Sequence, residues 1–351
     1  MTSNLNRAKS RVNKNKEMRD PLHFRNNFFF PTDMLPCVNV ILIRHAETDN
    51  NFIQMVDMHI KPAERKPDVS ITERGFRQSE ATGRFISAIP HLKRVIVSPM
   101  LRTLQTASPL VKLVAQNVPV DVWLDLYEEG GIFRGTRFEH QEALMAKAKR
   151  GSDVDVCGYP LEHGLNPSDF HKILGCESVK VVSDAGSGVS NNLGWWRGGF
   201  ETQEEVDKRA DGLVQKIWAL AREVASKEPS LDTADISKVA DSSISTDDPS
   251  DHSTIVFVTH GLIMDSISRR LMQMSAPRER VPIFTNNCGI NIFHLYPGHA
   301  AYPDQLGVPT KGSVAVACLN NTAHIDSQDQ SGHTVGALFR CSKDYLGGMR
   351  S

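Results

Sequence analysis

The sequence predicts an α/β fold: a three-layer sandwich with a mostly parallel central sheet flanked by helices, and a catalytic pocket at the carboxyl ends of the strands. Three observations predict it. The runs Val38–Ile43, Arg94–Val97 and Thr254–Thr259 are dense in β-branched residues, as strands buried on both faces are. Segments of helical spacing alternate with them, which is the pattern of parallel sheets. Each run also leads into a cationic or imidazole side chain, respectively Arg44-His45, Arg102 and His260, and open α/β folds bind ligands at that end of their strands.

The elements follow in order. Residues 1–36 read as a basic, largely disordered N-terminal arm, with seven Lys and Arg in the first 25 residues against Glu17 and Asp20, and without the apolar core of a secretory signal. Phe28-Phe29-Phe30 tacks this arm onto the domain. After the first strand, Thr72 caps a helix carrying Phe76, Ala81, Phe85 and Ile86. That helix returns the chain to Arg94–Val97, which passes through Ser98-Pro99-Met100-Leu101 to Arg102. A short apolar stretch, Val120–Leu124, leads into the loop Leu126-Tyr127-Glu128-Glu129-Gly130-Gly131.

The span 132–194 reads as a cap or insert. Thr202–Glu205 has capping-box spacing, and Val206, Ala210, Leu213, Val214, Ile217, Leu220 and Val224 repeat at helical intervals behind it. Residues 226–253 carry seven acidic residues and few large apolar ones, a composition that cannot offset chain entropy, so they are expected to form a disordered loop. Leu262, Ile263, Ile267 and Leu271 mark a helix whose amino terminus opens beside the pocket. The domain is expected over 37–325, with 326–351 as a polar tail.

Composition narrows the function. With 351 residues, 40% hydrophobic content and a net charge of −1, the chain can bury a large core and has no global attraction to nucleic acid. Six cysteines without CxxC spacing suggest reduced thiols and a cytoplasmic setting. No apolar run approaches the roughly 20 residues of a membrane-spanning helix. No clustered metal ligands are evident.

Converging Arg44, His45, Arg102 and His260 would form an anion pocket. Phosphoryl transfer depends mostly on positioning and on neutralising the equatorial oxygens, and the arginine fork does both. A neutral imidazole can attack phosphorus and carry the group covalently, which gives His45 the role of nucleophile. The leaving alcohol needs a proton from a carboxylic acid, for which Glu128 is the first candidate and Glu129 the second. Further substrate contacts are expected from Arg134, Arg137 and Trp196.

Several of these segments resemble the histidine phosphatase superfamily, also called phosphoglycerate-mutase-like. Arg44-His45-Ala46-Glu47-Thr48, with Asn51, is similar to its Arg-His-Gly signature, and Ile71–Gly75 with Gln78 to its next segment. Ser98–Arg102 with Thr106-Ala107 resembles its Ser-x-x-x-Arg-x-x-x-Thr-Ala block. Leu126-x-Glu128 resembles the acid-donor loop, Val258–Gly261 the second-histidine block, and Leu319–His324 the last strand.

The resemblance implies a phosphohistidine on His45, a phosphate clamp of Arg44, Arg102 and His260 with support from Asn51, proton donation by Glu128, and no metal or organic cofactor. The substrate would be a phosphorylated small molecule or a phosphoprotein. Ala46 stands where the family has glycine, and the donor loop lacks the neighbours of a glycolytic mutase. Two other readings stay open: a phosphate-binding scaffold that has lost turnover, and a mutase-type phosphotransferase.

Overall fold

Both faces of the central strands are apolar because helices cover both sides. The computed structural model describes residues 36–48, 51, 68–129, 165–182, 201, 203–227, 252–275, 281, 283–297 and 312–330. Seven strands among them form one sheet: β1 (Val38–Arg44), β2 (Leu92–Val97), β3 (Val120–Trp123), β4 (Lys180–Val182), β5 (Ser253–Thr259), β6 (Ile290–Tyr296) and β7 (Ser313–Asn321), in the order β4-β3-β2-β5-β1-β6-β7. The pairings from β4 through to β1 are parallel, while β6 runs antiparallel to β1 and β7 to β6. The mostly parallel sheet expected from the sequence is thus observed.

Side-chain alternation splits the core into two layers. Ile41, Ile43, Val95, Val97, Val256 and Val258 face one side and pack with Leu104, Val111, Phe170 and Leu174. These partners come from α2 (Leu101–Val114) and α3 (Pro167–Leu174); α1 (Glu73–Ser87) adds Ile86. Val40, Leu42, Ile96, Ile255 and Phe257 face the other side, against α4 (Gln203–Ala225) and α5 (Gly261–Leu271). All seven apolar positions expected on α4 are buried. No helix of the described residues is long and apolar enough to cross a membrane.

Three local differences from the sequence reading have physical causes. Thr72 does cap α1, accepting a hydrogen bond from the Gly75 amide at 3.0 Å, but Phe76 is 46% exposed. The buried face of α1 is instead Gly75, Gln78, Ser79, Thr82, Gly83 and Ile86; at Gly83 the helix comes so close to Pro109 and Leu110 of α2 that no side chain fits. Residues 165–182, inside the span read as a cap, build α3 and β4 of the sandwich itself. Asp329, read as tail, is buried and tied to α1: its carbonyl accepts from Gln78 and its carboxylate from Arg77.

The basic arm, the acidic stretch 228–251 and Val335–Phe339 lie outside the described residues. The described cysteines Cys37, Cys176, Cys288 and Cys318 are free thiols.

A methyl group at Gly83 would meet the Leu110 amide nitrogen at 2.9 Å and Pro109 Cβ at 3.0 Å. Gly83→Ala gains about 1 kcal/mol of helix propensity, but overpacking a helix contact costs about 1–3 kcal/mol, and neither backbone nor a proline ring can yield. The variant is expected to unfold at lower urea concentration than the wild type; an equal or higher midpoint would contradict the close α1–α2 packing.

Candidate active site

The registers of β2, β5 and β1 bring their carboxyl ends level: Arg44 lies opposite Thr259, and Val97 opposite Val258. The chain leaves all three strands at the same height, which gathers Arg44-His45, Ser98 and His260 into one pocket. The His45 amide donates to the Thr259 carbonyl at 2.8 Å, and the rings of His45 and His260 sit 5.4 Å apart.

His45 is held by its own backbone. Its Nδ1 lies 2.8 Å from the Ala46 carbonyl, which can only accept, so Nδ1 carries the proton and Nε2 holds the lone pair. Burial, reinforced by the charges of Arg102 and Arg44, pushes the imidazole well below the usual histidine value and keeps it neutral near pH 7. The loop is pinned by the Ala46 amide donating to Thr106 Oγ1 at 2.9 Å and by Asn287 Nδ2 donating to the His45 carbonyl at 3.0 Å. Ala46 does not adopt a positive φ, so alanine serves where the family pattern has glycine.

The clamp candidates are buried with part of their bonding capacity unused. Arg44 donates to the Thr285 carbonyl at 2.7 Å and lies against Gly261, where an added Cβ would come within 3.2 Å of its Nε. That Nε and His260 Nδ1 are buried without partners among the described residues, while His260 Nε2 is 2.7 Å from Ser98 Oγ. Arg102 pairs with Asp68 at 3.6 Å, and Asp68 in turn accepts from the Leu101 amide at the start of α2. Burial lowers Arg44 to about 10 and also lowers Arg102 and His260.

The two glutamates of the donor loop have different surroundings. Glu128 accepts from the amides of Leu262 at 3.3 Å and Ile263 at 3.1 Å, capping α5, and its charge acts on both Arg44 and Arg102. Glu129 is turned away and buried, accepting from Ser266 Oγ at 2.7 Å. Asn51 accepts from Thr48 and Asn287 through Oδ1, which leaves Nδ2 as its donor. Arg134, Arg137 and Trp196 lie outside the described residues. No group of three or more His, Cys, Asp or Glu among the described residues is arranged to hold a metal ion.

A family model, the histidine phosphatase superfamily (branch 1), matches residues 40–172, the stretch that carries Arg44, His45, Arg102 and Glu128. Among solved structures, the chain is similar to phosphoserine phosphatase of Entamoeba histolytica in complex with 3-phosphoglyceric acid, at 18% identity over 82% of this chain and 99% of that one, with a TM-score of 0.43. It is also similar to a mycobacterial glucosyl-3-phosphoglycerate phosphatase (15%, 82% and 100%, TM-score 0.45) and to phosphoglycerate mutase of Bacillus anthracis (15%, 83% and 96%, TM-score 0.43). No curated protein matches the sequence.

The loop after β1 extends into a network of tethers. Buried Glu47 accepts from Thr72 Oγ1 and Arg74, and its amide donates to Gln78 Oε1. Gly75 is required because a Cβ there would lie 2.3 Å from the Glu47 carbonyl. Sequence reasoning missed Asn287, Thr285 and Asp68. Asn287 and Thr285 come from a loop without a motif, and Asp68 is far from its partner in sequence. Ser98 was quoted in its block without a role. Leu319–Asn321 do end β7, whereas His324 follows in a turn, stacked on Phe85.

His294 and His324 are lowered to about 4 by burial, which also pushes His45 and His260 down. Below the unfolded value of about 6.5, the unfolded chain binds the extra protons, so stability falls by up to about 1.4 kcal/mol per pH unit per histidine and is unaffected above that value. The urea midpoint is expected to drop between pH 7.5 and pH 5, and His294→Gln to lessen the drop; a flat profile would contradict the buried neutral state.

Proposed function

We propose that the chain is a metal-independent phosphomonoester phosphatase working through a phosphohistidine on His45. The observation that carries this reading is an imidazole with its proton fixed on Nδ1 and its Nε2 lone pair left for attack, beside Arg44, Arg102 and His260, whose buried donors suit a dianion. Arg44, Arg102 and His260, with Asn51 Nδ2, bind the phosphoryl oxygens. The His45 Nε2 lone pair forms the N–P bond as the P–O bond to the alcohol breaks. Glu128 gives its proton to the departing oxygen, and the Ala46 carbonyl steadies the charge gathering on the ring.

Water then attacks phosphorus, surrenders a proton to Glu128, and breaks the N–P bond to release inorganic phosphate and restore both residues. Glu128 suits this role better than Glu129, because its carboxyl lies near both arginines of the pocket while Glu129 bonds Ser266. The substrate is a phosphorylated small molecule or phosphoprotein, with Arg134, Arg137 and Trp196 as its further contacts.

Two measurements test this. With a chelator present, the wild type is expected to release phosphate from an aryl phosphomonoester and His45→Ala to release none. Equal rates would remove His45 as the nucleophile. Arg102→Lys is expected to lower kcat/KM about 10²-fold, since a point charge cannot replace the bidentate fork; unchanged kinetics would remove Arg102 from the clamp.

A further inference from the structure

One buried cation outside the pocket is bound more completely than any of the clamp arginines. Arg209, on the first turns of α4, reaches back to the loop that carries Glu128. Its Nε and one terminal nitrogen each donate to Glu201 at 2.7 Å, a bidentate pair. The other terminal nitrogen donates to two main-chain carbonyls, Asp125 at 2.8 Å and Tyr127 at 2.9 Å. The guanidinium also lies 3.8 Å over the Tyr127 ring, whose hydroxyl donates to Glu201 at 2.8 Å. Every contact falls on the three residues before Glu128 or on the carboxylate that orients Arg209.

Those carbonyls bracket the turn that sets where Glu128 emerges. A flexible ammonium could hold one of them but could not span both while also pairing with Glu201. We propose that Arg209, fixed by Glu201, is a positioning residue that holds the Tyr127–Glu128 turn so that the Glu128 carboxyl meets the leaving oxygen over the amino end of α5. This rests on the phosphohistidine reading. The hydrogen bonds of Arg209 go to the turn before Glu128 and to Glu201, although its charge also bears on His260, so its hold on Glu128 matters most where the leaving group most needs a proton.

The test uses the full chain with two substrates, an aryl phosphate whose phenolate leaves unaided and an alkyl phosphate whose alkoxide does not. Arg209→Lys is expected to lower kcat/KM about 10²-fold for the alkyl ester, within the range typical of losing a general acid, and less than about threefold for the aryl ester. Glu128→Gln should lower kcat/KM for the alkyl ester at least as much, and the double variant no further than Glu128→Gln alone, as expected of residues acting as a unit. Equal losses on both esters, or additive losses, would overturn the proposal.

A readout without turnover separates this proposal from the functional reading. Arg209→Lys is expected to speed hydrogen exchange at the Ile263 amide about tenfold by loosening its Glu128 cap, while the Met264 amide, bonded to the His260 carbonyl, stays protected. Unchanged exchange at Ile263 would count against Arg209 even if the enzyme were active; faster exchange in a chain with no phosphatase activity would leave the positioning intact and overturn the reaction. Glu201→Gln, which keeps the shape and removes the charge, should reproduce both effects if Arg209→Lys folds poorly.

Discussion

Everything in this pocket follows from the expense of taking guanidinium groups out of water. Two arginines, Arg44 at the end of β1 and Arg102 in the first turn of α2, are buried where a desolvated charge survives only with partners. The fold supplies some and withholds others. Arg44 has the Thr285 carbonyl and Arg102 has Asp68, yet Arg44 Nε keeps no partner among the described residues. The same positive field is a cause of the neutrality of His45 and His260, so the two imidazoles add lone pairs rather than further charge.

Rigidity has to come from around the site, because a group held against its own desolvation will move if it can. The strand ends are fixed by three neighbouring ladders. The loop after β1 is fixed by Glu47, Thr72, Arg74 and Gln78, and Gln78 is itself tied to Asp329 near the far end of the described chain. On the opposite side, Asp265 binds both Arg269 and the Ile283 amide, securing the segment that delivers Thr285 and Asn287. Polar contacts far apart in sequence therefore meet around a few backbone atoms of residues 44–47.

Sequence made the centre of this arrangement legible and left its supports hidden, for a physical reason. Buried parallel strands announce themselves by composition, and a reactive residue at a strand's end is located once the strand is. Arg44, His45, Arg102 and His260 are of that kind. Asn287 and Asp68 sit on irregular segments, and their importance lies in partners reached only through folding. Phe76 failed as a marker of the buried face because the close approach of α1 to α2 is made at Gly83, whose smallness has no hydrophobic signal. Periodicity reports what a helix could bury; how close its neighbour stands is a property of the pair.

Cys288 occupies the most sensitive address in the molecule, with its amide bonded to the carbonyls of Arg44 and His45. Burial pushes its thiol up to about 12, so it stays protonated despite the nearby arginine. A thiol in that state is a poor nucleophile and a poor target for peroxide or alkylating reagents. Sulfur chemistry is thus kept silent at the point where the backbone of Arg44 and His45 is held.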